Sequence, residues 1–231
     1  MANIAFLQDG ETFAPGSGTT ITISFDSGST GTDRYLAVIV FGAATDTLTG
    51  VTYAGVAMTQ LFKQQGAAQG GRFVYIYGLA NPTTGTNNIV SSFSSSITDP
   101  PTWYGVYTGV KATTQPDVTD YTTRGNGSGS FVGTAVTVAN GCWFLAAEMD
   151  NNGNMAATAN CVKRTGWSAL FGVHVFDSNA SLGAAGSHDL TVTGSNGGAQ
   201  DLIMVGLKPA PDTLFPPAVK ARQAVNRAST Y

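Results

Sequence analysis

Before residue 216 no stretch of ten residues keeps apolar side chains at helical spacing, while short strand-type runs recur with turn residues between them. Thr20-Ile21-Thr22-Ile23-Ser24-Phe25 alternates with period two and stops at Asp26-Ser27-Gly28. The run from Arg34 to Phe41 is almost wholly apolar, as a strand buried on both faces requires. Val51-Thr52-Tyr53 and Ala57 to Lys63 flank Ala54-Gly55, a tight hairpin turn. Arg72 to Leu79 mixes aromatics with aliphatics, and Asn81-Pro82-Thr83-Thr84-Gly85-Thr86 is a turn in which Pro and Gly set the dihedrals. Further strands are expected at 88–94, 102–110, 130–138, 142–148, 169–177, 189–193 and 201–207. About a dozen strands at this spacing predict an all-β fold, a two-sheet antiparallel sandwich of jelly-roll type, with 34–41 and 142–148 central.

Composition supports that reading. Thr (30), Gly (29) and Ser (17) supply about a third of the 231 residues, and the first two are poor helix formers. Only 11% of residues are charged, against ~25% in ordinary soluble domains. Aromatic and β-branched residues are frequent enough for a core, which argues against disorder. Gly125 to Ser130 is a flexible loop too short to link domains, so residues 1–208 are expected to form one body.

The end of the chain differs from the body. Pro209, Pro211, Pro216 and Pro217 favour an extended path, and 218–225 could add two turns of helix. Lys208, Lys220, Arg222 and Arg227 against Asp212 give residues 208–231 a charge of +3, leaving −6 on the rest of a chain whose net charge is −3. Residues 209–231 are therefore expected to be a Pro-rich basic arm. Leu214 and Phe215 would be its apolar anchors, and Lys220, Arg222 and Arg227 the charges that find an acidic neighbour.

Little in the sequence points to catalysis, and neither a catalytic residue, a cofactor site nor a metal site is expected. Glu148-Met149-Asp150 places two carboxylates on one strand face, as in sandwich-fold glucanases, but the third acid of a Glu-x-Asp-x-x-Glu pattern is missing. Asp150, Asn152 and Asn154 offer oxygens at alternate positions, yet lack the glycine and closing glutamate of a calcium loop. His174 shares a strand face with Phe176, His188 sits in a turn, and no Gly-x-Ser-x-Gly elbow supplies a nucleophile for either. Cys142 and Cys161 make no disulfide framework, though a single bridge between them stays open. The dense aromatics Tyr35, Tyr53, Phe73, Tyr75, Tyr77, Trp103, Tyr104 and Tyr107 are either core or a stacking surface for glycans, which periodicity alone does not decide. The first residues have neither the basic nor the apolar region of a secretion signal, and no apolar run is long enough to span a membrane. Acidic net charge argues against nucleic acid as a partner.

Two hairpins and the last strand carry a family resemblance. Val51-Thr52-Tyr53-Ala54-Gly55-Val56-Ala57-Met58-Thr59 and Tyr77-Gly78-Leu79-Ala80-Asn81-Pro82-Thr83-Thr84-Gly85-Thr86-Asn87-Asn88-Ile89-Val90, with Met204 to Pro209, resemble β-sandwich structural proteins of tailed-phage virions. Such proteins serve as head decoration or cement, head fibres, or tail parts. The resemblance implies a non-enzymatic virion protein made in the bacterial cytoplasm. It would be a homo-oligomer whose partners are other virion proteins, above all the major capsid protein. The alternative is a carbohydrate- or receptor-binding module on the particle. The resemblance implies no catalytic residue and does not extend to the arm.

Overall fold

A computed structural model describes residues 3–211 apart from 14, 69, 126, 151–154, 168–171 and 195–197. The arm residues Leu214, Phe215, Lys220, Arg222 and Arg227 lie outside the described residues, as do Asn152 and Asn154. The described elements are all strands, and among the described residues no helix is long and apolar enough to cross a membrane.

The first nine strands are β1 (Ala5–Thr12), β2 (Ser17–Asp26), β3 (Tyr35–Phe41), β4 (Leu48–Tyr53), β5 (Val56–Ala57), β6 (Thr59–Gln65), β7 (Phe73–Ala80), β8 (Thr86–Thr98) and β9 (Thr102–Thr108). Eight more follow: β10 (Val118–Arg124), β11 (Gly129–Thr137), β12 (Trp143–Asp150), β13 (Met155–Ala157), β14 (Val162–Trp167), β15 (Val173–Asp177), β16 (Gly186–Gly194) and β17 (Gln200–Leu207). The first set forms a sheet of order β1-β9-β3-β7-β6 and a second of order β2-β8-β4-β5. Its antiparallel pairs are nested, β1 with β9, β2 with β8, β3 with β7 and β4 with β5. A long hairpin wound over itself in this way is a jelly roll.

The second set repeats the plan. Its sheets run β10-β17-β12-β15-β14 and β11-β16-β13, with β10 on β17, β11 on β16 and β12 on β15. The all-β, antiparallel expectation holds, but the expected two sheets are four: the nested roll occurs twice, because each half of the chain winds its own pair of sheets. Turns mark the repeat as well. Asn81 (φ 49°) and Gly85 (φ 78°) follow β7, and Asn179 (φ 51°) and Gly183 (φ 76°) follow β15 at the same spacing. Asn and Gly are the residues that tolerate this left-handed backbone. The Ala54-Gly55 turn has both φ values positive, 51° and 78°, and closes β4 onto β5 as its sequence predicts.

The rolls stack through their five-stranded sheets. Along β3, Tyr35, Ala37, Ile39 and Phe41 face the partner roll, while Leu36, Val38 and Val40 face the core of their own roll. Along β12, Trp143, Leu145, Ala147 and Met149 join that shared core, while Phe144 and Ala146 turn to the second roll's own core. This four-layer arrangement explains why every residue of β3 and β12 is buried, in a fold class whose strands usually alternate. It also settles the aromatics: of the eight named above, all but the partly buried Phe73 are buried.

Polar groups bind the rolls together at two points. Asp177 on β15 is fully buried; its carboxylate accepts two hydrogen bonds from Arg164 (2.7 and 3.0 Å) and one from the Tyr107 hydroxyl of the first roll (3.1 Å). The Arg164 guanidinium lies 3.7 Å from the centroid of the Phe6 ring. Asp201 on β17, also fully buried, accepts from the Ala68 amide (2.6 Å) and the Tyr121 hydroxyl (2.8 Å). Residues 109–117 connect the rolls and are zipped to the end of the body. Lys111 N donates to Lys208 O (2.9 Å), Ala210 N to Gly109 O (2.7 Å), and Val110 bridges Pro209. Pro209 and Ala210, placed with the arm on composition, are buried parts of the body.

Candidate functional site: a carboxylate–histidine cluster in the second roll

The alternation that sends Phe144 and Ala146 into the second roll's core sends Glu148 and Asp150 along the same face. Strand β15 is paired so that His174 lies directly opposite Glu148. One ligand atom from each of Glu148, Asp150 and His174 falls within 4.8 Å of the other two, and His174 Nε2 is 4.0 Å from Glu148 Oε2. Glu148 and His174 are completely buried and Asp150 is 3% exposed. Among the described residues, neither Glu148 oxygen and neither His174 nitrogen has a hydrogen-bond partner.

Two glycines make room for these side chains. A Cβ on Gly166, which pairs with His174 across β14 and β15, would lie 2.0 Å from His174 Nδ1. A Cβ on Gly172 would lie 2.0 Å from Asp150 Oδ1, and the Gly172 carbonyl accepts from the Asp150 amide (2.7 Å). Among the described residues, the first roll has no counterpart. The residues at the matching places in its β3–β7 pair are Val40 and Tyr75, both part of an apolar core.

Electrostatics there oppose charge on either member of the pair. Burial, reinforced by the charges of Asp150 and Asp201, pushes the Glu148 carboxyl well above the usual carboxylate range. Burial, followed by the charge of Lys163, pushes the His174 imidazole down to about 3. Burial also lowers the Lys163 ammonium, which donates to Met155 O (2.9 Å) rather than to Glu148. Such a cluster can share a proton or bind a cation.

The two carboxylates do share a face, as their spacing predicts. His174 joins them, which the sequence could not show because the pairing of β12 with β15 is a tertiary fact. His188 is elsewhere, in a turn where its Nε2 lies 2.8 Å from Ala184 O. Cys142 and Cys161 are free, buried thiols and are not bridged. Three surface hollows of about 380, 410 and 570 Å³ are lined by apolar, Thr, Ser, Asn, Gln and Tyr side chains, and contain no carboxylate, histidine or cysteine.

No protein-family model matches the chain, and no curated protein matches it. A solved structure described as an anti-sigma factor domain-containing protein is 9% identical, covering 81% of this chain and 74% of its own, with a TM-score of 0.23. A likeness that slight carries no argument about role.

Proposed function

We propose that this chain is a non-enzymatic structural component of a tailed-phage particle, decorating or cementing the capsid. The observation that carries the reading is a row of exposed valines on a strand at the edge of an outer sheet. Val132 and Val136 on β11, and Val138 just beyond it, are 39%, 60% and 73% exposed. An exposed apolar edge strand is a liability unless a neighbouring subunit covers it. The four-layer stack supports the same reading, because it leaves mainly outer faces, edges and turns for contact. Its two neighbouring acids are enclosed, so no sugar ring reaches between Glu148 and Asp150 as glycoside hydrolysis would require. The motifs of the β4–β5 hairpin and of the β7–β8 connection, which crosses between the two sheets of the first roll and is not the hairpin its sequence suggests, add the resemblance to virion sandwiches. Residues 209–231, with Leu214, Phe215, Lys220, Arg222 and Arg227, are the proposed attachment arm, and the major capsid protein or a second copy is its proposed partner.

Cryo-microscopy of purified particles tests the proposal directly. The doubled roll should sit on the capsid lattice with β11 at a subunit contact, and Val136→Lys should lower its occupancy. A chain cut after Pro211 should stay folded and fall off the particle. Absence of the protein from purified particles would refute the reading. Binding of the isolated protein to a glycan array, with no lattice contact, would favour the receptor-binding alternative.

A further inference from the structure

We propose that Glu148, Asp150 and His174 form a site for one divalent transition-metal ion of the zinc class, present in the second jelly roll and not in the first. The donor set is the first argument. Two carboxylate oxygens and one imidazole nitrogen suit a borderline ion, and the imidazole disfavours calcium and magnesium. Geometry is the second. Three atoms no more than 4.8 Å apart fit within a circle of about 2.8 Å radius, so contraction of less than about 1 Å reaches zinc bond lengths of roughly 2.0–2.2 Å.

The third argument is the unmet polar demand. A buried carboxyl and a buried imidazole face each other with all four of their polar atoms unpartnered among the described residues. Buried polar groups without partners are rare and costly, and each needs an explanation. A divalent cation bonded to Glu148 and His174 would satisfy one atom of each at once, and its charge would balance the two carboxylates. Fourth, the cradle is specific. Gly166 and Gly172 are the residues whose Cβ would collide with His174 Nδ1 and Asp150 Oδ1, so backbone on both sides is cut back to admit these donors. The same register in the first roll is filled by Val40 and Tyr75, so the fold does not need a polar cluster there. Lys163 is the competing cation, and its bond to Met155 O holds it on a carbonyl instead of on Glu148.

The test uses the full chain, stripped with a chelator and titrated calorimetrically with ZnCl2, with bound metal counted by mass spectrometry. One equivalent should bind, and a hundredfold excess of free ion over the Kd should raise the melting midpoint by about 5–10 °C. Glu148→Gln and His174→Gln should each weaken binding by more than the 10–100-fold typical of losing an outer-shell group. Cobalt(II) is the check that needs no variant: its spectrum in the wild-type protein should show oxygen and nitrogen ligation without a thiolate charge-transfer band. Three results would each overturn the proposal: no zinc bound at 1 mM, undiminished binding in both folded variants, or a thiolate band assigning the metal to Cys142 or Cys161.

Discussion

Replacing Asp177 by Asn removes one charge from a place where the two rolls meet, and its cost can be worked from the contacts. Asp177 is fully buried, and its carboxylate takes both Arg164 bonds, the Tyr107 hydroxyl and the Asn179 amide (2.9 Å). Burial raises its pKa while Arg164 and Tyr107 oppose that rise, so the intact pair contributes only modestly to stability. Breaking it is another matter, because the amide cannot neutralise the guanidinium and turns an NH2 group toward a donor. Removing one partner of a buried pair costs about 3–5 kcal/mol; Arg164 keeps 13% exposure and its place over Phe6, so about 3 kcal/mol is expected. At 2–4 °C per kcal/mol for a chain of this size, the midpoint should fall by about 6–12 °C. Urea unfolding of D177N, R164M and the double variant completes a cycle, with a coupling of at least about 1.5 kcal/mol expected. A cost for D177N below about 1 kcal/mol, or strict additivity, would refute the assignment of this pair as a joint between the rolls.

Two further predictions follow from thiols and turns. Cys142, whose thiol burial pushes up to about 12, should react with iodoacetamide at pH 8 on the order of a thousandfold more slowly than a free cysteine, and at the free rate once unfolded; rapid labelling of the native protein would contradict its placement. Gly85→Ala and Gly183→Ala meet no neighbouring atom within 4 Å, so each should cost only the left-handed backbone penalty of about 1–2 kcal/mol, and equal losses at the two sites in urea melts would support the repeat.

Central strands were far more legible in the sequence than edges. β3, β7, β9, β12 and β17 stand out because burial on both faces leaves nearly continuous apolar runs, and β2, β8, β11 and β16 because one face alternates. The strands that went unread, β1, β10, β13 and β14, are all sheet edges. Exposed residues such as Asp9 and Glu11 on β1, and half-buried polar ones such as Asp120 and Thr122 on β10, erase the pattern there. The duplication was hidden for a related reason. Strand order and left-handed turns repeat, but the side chains do not: Asn81-Pro82-Thr83-Thr84-Gly85 matches Asn179-Ala180-Ser181-Leu182-Gly183 at its two ends only. For the candidate site, period two placed Glu148 with Asp150 and His174 with Phe176. It could not place the two faces together, since that depends on β12 pairing with β15.

The central claim is that two jelly rolls share one core and unfold as a unit. Native-state amide hydrogen exchange of the full chain tests it most directly, because peptides covering 35–41 and 143–150 report the two facing sheets separately. Both should be the slowest to exchange, at matching opening free energies equal to that of global unfolding. Opening of 143–150 about a hundredfold or more often than 35–41, as an independent unit, would contradict it.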